Sequence, residues 1–290
     1  MFEAIRQARP KRLYVAADGP RPGREGEHDR CEEVRRIASS VDWPCELKTL
    51  FRGENVGCKL ACSGGISWFF EQEQEGIIFE DDVLPHESLF PFCEELLERY
   101  RLDPRIWAIS GANFHPREPT VGPSYEFSRY PFSQGWATWR RAWKENDLAM
   151  RRWPALRDSD WLLELGGGRR DFDAYWRSIF DAVASGSLNT AWDYQWLFSI
   201  WSQHGIGILP AQNLVSNIGF GRDATHTVDT ADWQAARPLA PMPFPLRHPA
   251  VVEPNADDDR WIDLNVFGTR ATVHQTLRRR LGAFVRRVLG

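Results

Sequence analysis

Along the first half of the chain, short apolar runs alternate with longer stretches in which apolar residues recur every three or four positions. Leu13-Tyr14-Val15-Ala16-Ala17 is a compact run that stops at Asp18-Gly19-Pro20. A charged helical pattern over Cys31–Ser39 leads to a second run at Glu46–Phe51. Asn55–Gln74 has helical spacing, carrying Leu60, Trp68 and Phe69, and Ile77-Ile78-Phe79 follows as a third run. Ser88–Tyr100 is helical again, and Ile106-Trp107-Ala108-Ile109 is a fourth run. Runs of this length, bounded by turn residues, read as buried strands. Their alternation with helices predicts an α/β fold with a mostly parallel sheet covered by helices on both faces. In such sheets ligands gather at the carboxyl ends of the strands, where Asp18, Arg52 and Glu80-Asp81-Asp82 all fall.

One element is out of place. Met1 runs directly into a helical pattern at Phe2–Ile5, with no strand and no capping residue before it, so the sheet reads as one strand short and the chain as starting one strand late. The second half is less regular. Tyr130–Trp143 is aromatic and basic, Gly166-Gly167-Gly168 marks a loop, and Phe172–Ala184 and Tyr194–His204 read as helices. Ile206–Leu209 is a short strand, and dense prolines from Ala231 to Pro254 predict an extended wrap. In Val273–Leu289, helical spacing aligns Val273, Leu277, Leu281, Phe284 and Val288, with Arg278, Arg279, Arg280, Arg286 and Arg287 beside them. Such a helix suits the inner face of a membrane or an acidic partner, and equally suits docking on its own domain with the arginines in solvent.

Composition narrows the classes. The chain has 290 residues and a net charge of −4, so no general basic field points to nucleic acid. Five cysteines, an odd number without a CxxC pair, argue against a zinc site or a disulfide framework and for buried free thiols in a reducing compartment. The N-terminus lacks the apolar segment of a secretory signal and no apolar run is long enough to span a bilayer, which predicts a cytoplasmic protein. The 14 tryptophans fit an aromatic core, and their flat faces also suit a sugar.

The chemistry concentrates at Glu80-Asp81-Asp82. Three like charges at the end of a buried strand repel one another unless a cation sits among them. Hard carboxylate oxygens select Mg²⁺ or Mn²⁺, ions that bridge proteins to phosphates; a solvated acidic turn before a helix is the plainer alternative. Arg52, Asn55 and Lys59, with a helix start near Gly57, add groups that neutralise phosphate or bind a nucleoside. Singly, each also fits a surface turn.

The ordered set LYVAADGPR…LFRGENVGCKLACSGGISWFFEQEQEGIIFEDDVLPHESLFPFCEELLERY resembles the GT-A, Rossmann-like nucleotide-sugar glycosyltransferases. It looks like the bacterial hemolysin-like sugar transferases and is distantly similar to N-acetylglucosaminyltransferases with an E-D-D version of the DxD motif. The resemblance implies that Asp82 ligates the divalent metal (Mn²⁺ or Mg²⁺) on the donor diphosphate. Asp81 would meet ribose and sugar, Glu80 the donor sugar and Asp18 the base, with Arg52 and Asn55 along the nucleotide. It covers about Phe2–Thr227 and implies a transferase domain over 1–230, with a donor half to about 115 and an acceptor half from about 116. The extended wrap over 231–270 and the basic helix over 271–290 follow it. Gly135–Trp143 resembles the start of the acceptor side, and Trp192-Asp193-Tyr194-Gln195-Trp196 the stretch that supplies the base. Asn217–Gly221 and Asp223–Thr227 recur in the bacterial group without an assigned role. The family's first strand has no counterpart here.

The implied reaction is inverting sugar transfer from a nucleoside-diphosphate sugar to a glycan or lipid-linked acceptor hydroxyl. Asp193, framed by Trp192, Tyr194 and Trp196, is the expected general base; the alternative is an aspartate capping the helix Tyr194–His204. Asp223 and His226 stand behind it as candidates. A sugar-phosphate nucleotidyltransferase would carry a Gly-rich loop after its first strand, which is missing here. A truncated, non-catalytic sugar-nucleotide binder is the reading from another class.

Overall fold

The structure is a computed structural model that describes residues 1–115, 122–219 and 237–269. Among these residues the chain runs α1 (Phe2–Ala8), β1 (Arg12–Ala17), α2 (Glu27–Ser39), β2 (Glu46–Phe51), α3 (Cys58–Gln72), β3 (Glu75–Ile78), β4 (Val83–Pro85), α4 (Leu89–Arg99) and β5 (Ile106–Ser110). It continues through β6 (Tyr125–Ser128), β7 (Trp136–Trp139), α5 (Arg140–Trp143), α6 (Trp153–Arg157), α7 (Trp161–Leu165), α8 (Arg170–Ala184), α9 (Asp193–Trp201), β8 (Ile206–Pro210), β9 (Val215–Asn217) and α10 (Ala256–Asn265).

The fold is α/β, but the expected GT-A, Rossmann-like sheet is not what forms. The main sheet has five strands in the order β3-β7-β5-β8-β6. β7 runs antiparallel to both β3 and β5, and β6 antiparallel to β8; within this sheet β5 and β8 are the parallel pair. β4 and β9 form an antiparallel ribbon, while β1 and β2 pair in parallel as a sheet of their own. The mostly parallel sheet, and with it the GT-A assignment, is therefore corrected. The reason lies in β7. All four of its residues are buried, so Trp136–Trp139 shows no alternation and reads in sequence as part of an aromatic stretch. It inserts between β3 and β5, where the β/α alternation had implied a parallel neighbour.

Both faces of the five-stranded sheet are covered. Trp136 and Trp107 face a core built with α8 and α9, including Trp176, Trp196 and Trp201. Ala137, Trp139, Ile106 and Ile109 face α4, which contributes Phe92, Leu96 and Leu97. α3 ties the β1–β2 pair to the main sheet. Its Gly65 approaches Ala16 so closely that a Cβ would lie 2.9 Å from the alanine methyl. Its Phe69 ring covers Gly76 of β3, where a Cβ would meet the ring at 2.2 Å, and the same ring makes an edge contact with Tyr14 of β1 at 4.9 Å. Tyr14 donates its hydroxyl to Glu73 at 2.7 Å.

The wrap expected over 231–270 contains α10, capped by Asn255, whose side chain accepts from the backbone N–H groups of Asp257 and Asp258. The fully buried carboxylates of Asp259 and Asp263 fasten this helix to Arg129 and Arg169. The helix expected over Val273–Leu289, with its membrane contact, lies outside the described residues, as do Asp223 and His226.

Candidate functional site

The turn after β3 carries Glu80-Asp81-Asp82, and its geometry is set by the β4–β9 ribbon that follows. The backbone N–H of Val83 returns to the Glu80 carbonyl at 3.3 Å, closing the turn. Ile218 N–H donates to the Asp82 carbonyl at 2.8 Å, and the Asn217 side-chain amide donates to Asp82 Oδ2 at 3.3 Å. Gly219 backs directly onto the carboxylate: a Cβ there would lie 2.4 Å from Asp82 Oδ2. Asn217 in turn accepts from Gly219 N–H at 2.7 Å, which fixes the amide that holds Asp82. The role of the Asn217–Gly219 stretch is thus to orient Asp82, a pairing across 135 positions that no local pattern announces.

Glu80 points to a different neighbour. Burial first, then the carboxylates of Asp82 and Asp193, push it up from an ordinary 4.5 to about 7, while a hydrogen bond from the Trp192 side chain pulls the other way. Glu80, at the β3 end, therefore lies within electrostatic reach of both Asp82 and Asp193, the latter at the start of α9. Trp192, the residue before α9, stacks on Trp136 of β7 at 5.9 Å and 27°. This indole is the mechanical link between the main sheet, α9 and the acidic turn. Asp193 is the first residue of α9 and is exposed; the capping position belongs to Trp192, whose side chain makes no cap bond.

The remaining expected residues have other contacts. Asp18 accepts from the backbone N–H groups of Gly19, Val56 and Gly57 at 2.9 to 3.2 Å, so its carboxylate anchors the loop that starts α3. The Asn55 amide donates to the Gly19 carbonyl at 3.1 Å. Arg52 follows β2 and lays its guanidinium over Gly64, where a Cβ would lie 2.7 Å from Nη2. Lys59 occupies the first turn of α3, its carbonyl accepting from Ser63 at 2.6 Å. Asp81 is exposed, near enough to Cys62 to act on it electrostatically, and Cys58 acts on Glu80. Asp18 and Asn55 thus position the loop that starts α3. Asn217 and Gly219 lie in a recurring stretch that the sequence leaves without a role, and Trp192 reads there only as framing Asp193.

Among the described residues, no group of three or more His, Cys, Asp or Glu side chains is arranged to hold a metal ion. The donor set is nonetheless hard oxygen, held in place at Asp82 and crowded with like charge. It fits a divalent cation held by one carboxylate that takes its other oxygens from phosphate, the usual manner of Mg²⁺. A groove of about 470 Å³ between α3 and α5, lined by Ser63, Ser67, Arg140, Lys144 and Asn146, holds none of these carboxylates. No helix among the described residues is long and apolar enough to cross a membrane. No family model matches the chain, and comparison with curated proteins finds no matching relative.

Proposed function

We propose that the chain is a metal-dependent transferase that moves a sugar from a nucleoside-diphosphate sugar to an acceptor hydroxyl, with inversion, in the cytoplasm. One observation supports the reading: Glu80, after β3, feels the charge both of its neighbour Asp82 and of Asp193 at the start of α9, far along the chain. Asp82, oriented by Asn217 and backed by Gly219, is the residue that would hold Mn²⁺ or Mg²⁺. Such a cation, when bound, would supply positive charge for the departing diphosphate. Arg52 and Lys59, near the start of α3, neutralise the phosphates, and Asp81 and Glu80 contact the donor's ribose and sugar. Asp18 and Asn55 hold the loop against which the nucleoside lies.

Asp193 accepts the proton of the acceptor hydroxyl. Its exposure leaves it reachable by an incoming glycan or lipid-linked acceptor, and it is a different residue from the one proposed to hold the cation. The acceptor oxygen attacks the anomeric carbon as the bond to the diphosphate breaks, and the proton passes to Asp193.

The test pairs binding with turnover. Nucleoside diphosphates are titrated with and without Mn²⁺, and release of nucleoside diphosphate from sugar donors is then monitored with candidate acceptors. Asp82→Ala should abolish Mn²⁺-dependent nucleotide binding with the fold intact. Asp193→Asn should cut transfer by about a hundredfold or more while donor and metal binding persist. Unchanged Mn²⁺ dependence in Asp82→Ala, or transfer at a near wild-type rate in Asp193→Asn, would remove the corresponding role.

A further inference from the structure

Two thiols stand at the wall of the carboxylate cluster. Cys58 is the first residue of α3 and Cys62 lies four residues on, with their Sγ atoms 3.8 Å apart. Both are half-buried, and neither is engaged in a disulfide. Each of the pair faces the acidic turn: Cys58 and Glu80 interact electrostatically, as do Cys62 and both Glu80 and Asp81. The chemistry of this thiol pair is independent of whether the carboxylates form a transferase site.

We propose that Cys58 and Cys62 form a thiol-modification site, a proximal dithiol that a small disulfide oxidant converts to a disulfide within α3, resetting the helix start beside the carboxylates. The thiolate of Cys58 attacks one sulfur of the oxidant and releases one small thiol, leaving a mixed disulfide. The thiolate of Cys62 then attacks Cys58 Sγ and expels the second small thiol. The chain gives up two protons and two electrons, and the oxidant is reduced to two thiols.

The order of attack is set by position. Cys58 is the first residue of α3, at the open end of the helix, whereas Cys62 lies a turn further in. Cys62 is pushed up by its contact with Cys58 and then by burial, so it reacts second. The bond also demands movement. Side chains four apart on a helix have Cβ atoms about 5 to 6 Å apart, whereas a disulfide needs about 3.5 to 4.5 Å. The weak end of α3 is where the helix can give: Gly57 precedes it with φ of 83° and provides no side-chain cap. The N–H groups of Val56 and Gly57 are bonded to Asp18, so tightening this turn pulls on the loop that Asp18 anchors. A strained disulfide of this kind is easily reduced, which suits a reversible device.

Trypsin supplies the test, because it cuts after Arg52, Lys59 and Arg99 and so separates the two cysteines. The full chain is incubated with oxidised glutathione, alkylated, digested and analysed by mass spectrometry. The expected product is the Gly53–Lys59 peptide joined to Leu60–Arg99 through Cys62, released by dithiothreitol. Cys62→Ser should trap glutathione on Cys58, and Cys58→Ser should yield no joined peptide. The proposal is overturned if the wild-type peptides run separately with both cysteines alkylated or both carrying glutathione. It is equally overturned if fragmentation places the bond at Cys93, which shares the second peptide but is fully buried.

Discussion

Asp263 offers the sharpest test of the energetics. Its carboxylate is fully buried and accepts from Arg169 Nη1 at 2.5 Å and from the Tyr130 hydroxyl, with Arg129 Nη2 at 3.7 Å. Asp259, 1% exposed, accepts from Ser128 at 2.5 Å and from Arg129 Nε at 3.0 Å. Asp171 also accepts from Arg169 at 3.0 Å, so three carboxylates surround two half-buried guanidinium groups beneath α10. Burial nevertheless outweighs these partners and leaves both carboxyls raised above the ordinary range. The intact set therefore adds little net stability, while removing one member strands the others. Asp263→Ala would leave Arg129 with Asp259 and Arg169 with Asp171 as their remaining carboxylates, and the Tyr130 hydroxyl without its acceptor. Breaking a buried pair in this way costs about 3 to 5 kcal/mol. At roughly 2 to 4 °C per kcal/mol for a domain of this order, Tm should fall by about 6 to 20 °C. Urea denaturation read through tryptophan fluorescence measures it. Adding Arg169→Leu removes the cation that Asp263 bonds, so the double variant should cost about 1 to 3 kcal/mol less than the sum of the singles. A loss below about 1 kcal/mol for Asp263→Ala, or strict additivity in the double variant, would refute the account of α10 as a helix fastened by charge.

In metal-free protein with chelator, Glu80 rests at about 7 instead of 4.5, so its contribution to stability is complete below about pH 4.5 and is lost as pH rises through 7. The difference amounts to at most about 3 kcal/mol, and Glu80→Gln should flatten the fall in urea midpoint between about pH 5 and 8; parallel profiles for the two proteins would count against the carboxylate crowding. Gly219→Ala would place a methyl 2.4 Å from Asp82 Oδ2 and must displace that carboxylate, so Mn²⁺ affinity measured calorimetrically should drop about tenfold or more with little change in Tm; wild-type affinity would show that Gly219 does not set Asp82. Gly76→Val would drive Cγ atoms into the Phe69 ring, already 2.2 Å from a Cβ, and should cost about 1 to 3 kcal/mol in urea denaturation by separating α3 from β3; an unchanged midpoint would contradict the close packing.

The sequence alone determined the elements whose signal is local. Periodicity placed β1, β2, β3, β5, β8, α3, α4, α8 and α9 within a few residues of their observed bounds, because each buries one stripe or ends at a turn residue. The same local logic marked Glu80-Asp81-Asp82 at a strand end and Asp193 at a helix start. What the chain could not announce is how strands pair. β6 and β7 carry aromatic residues that suit a core wherever it lies, and their antiparallel insertion is decided by neighbours far along the chain. Asp18 shows the same limit: its place after β1 was legible, but its use by the N–H groups of Val56 and Gly57 depends on where the loop before α3 returns. The hold of Asn217 and Gly219 on Asp82, and the approach of Asp193 to Glu80, likewise join segments more than a hundred residues apart. Periodicity reports which face of an element is apolar; which other element covers it is fixed only when burial and hydrogen bonding are satisfied across the whole fold at once.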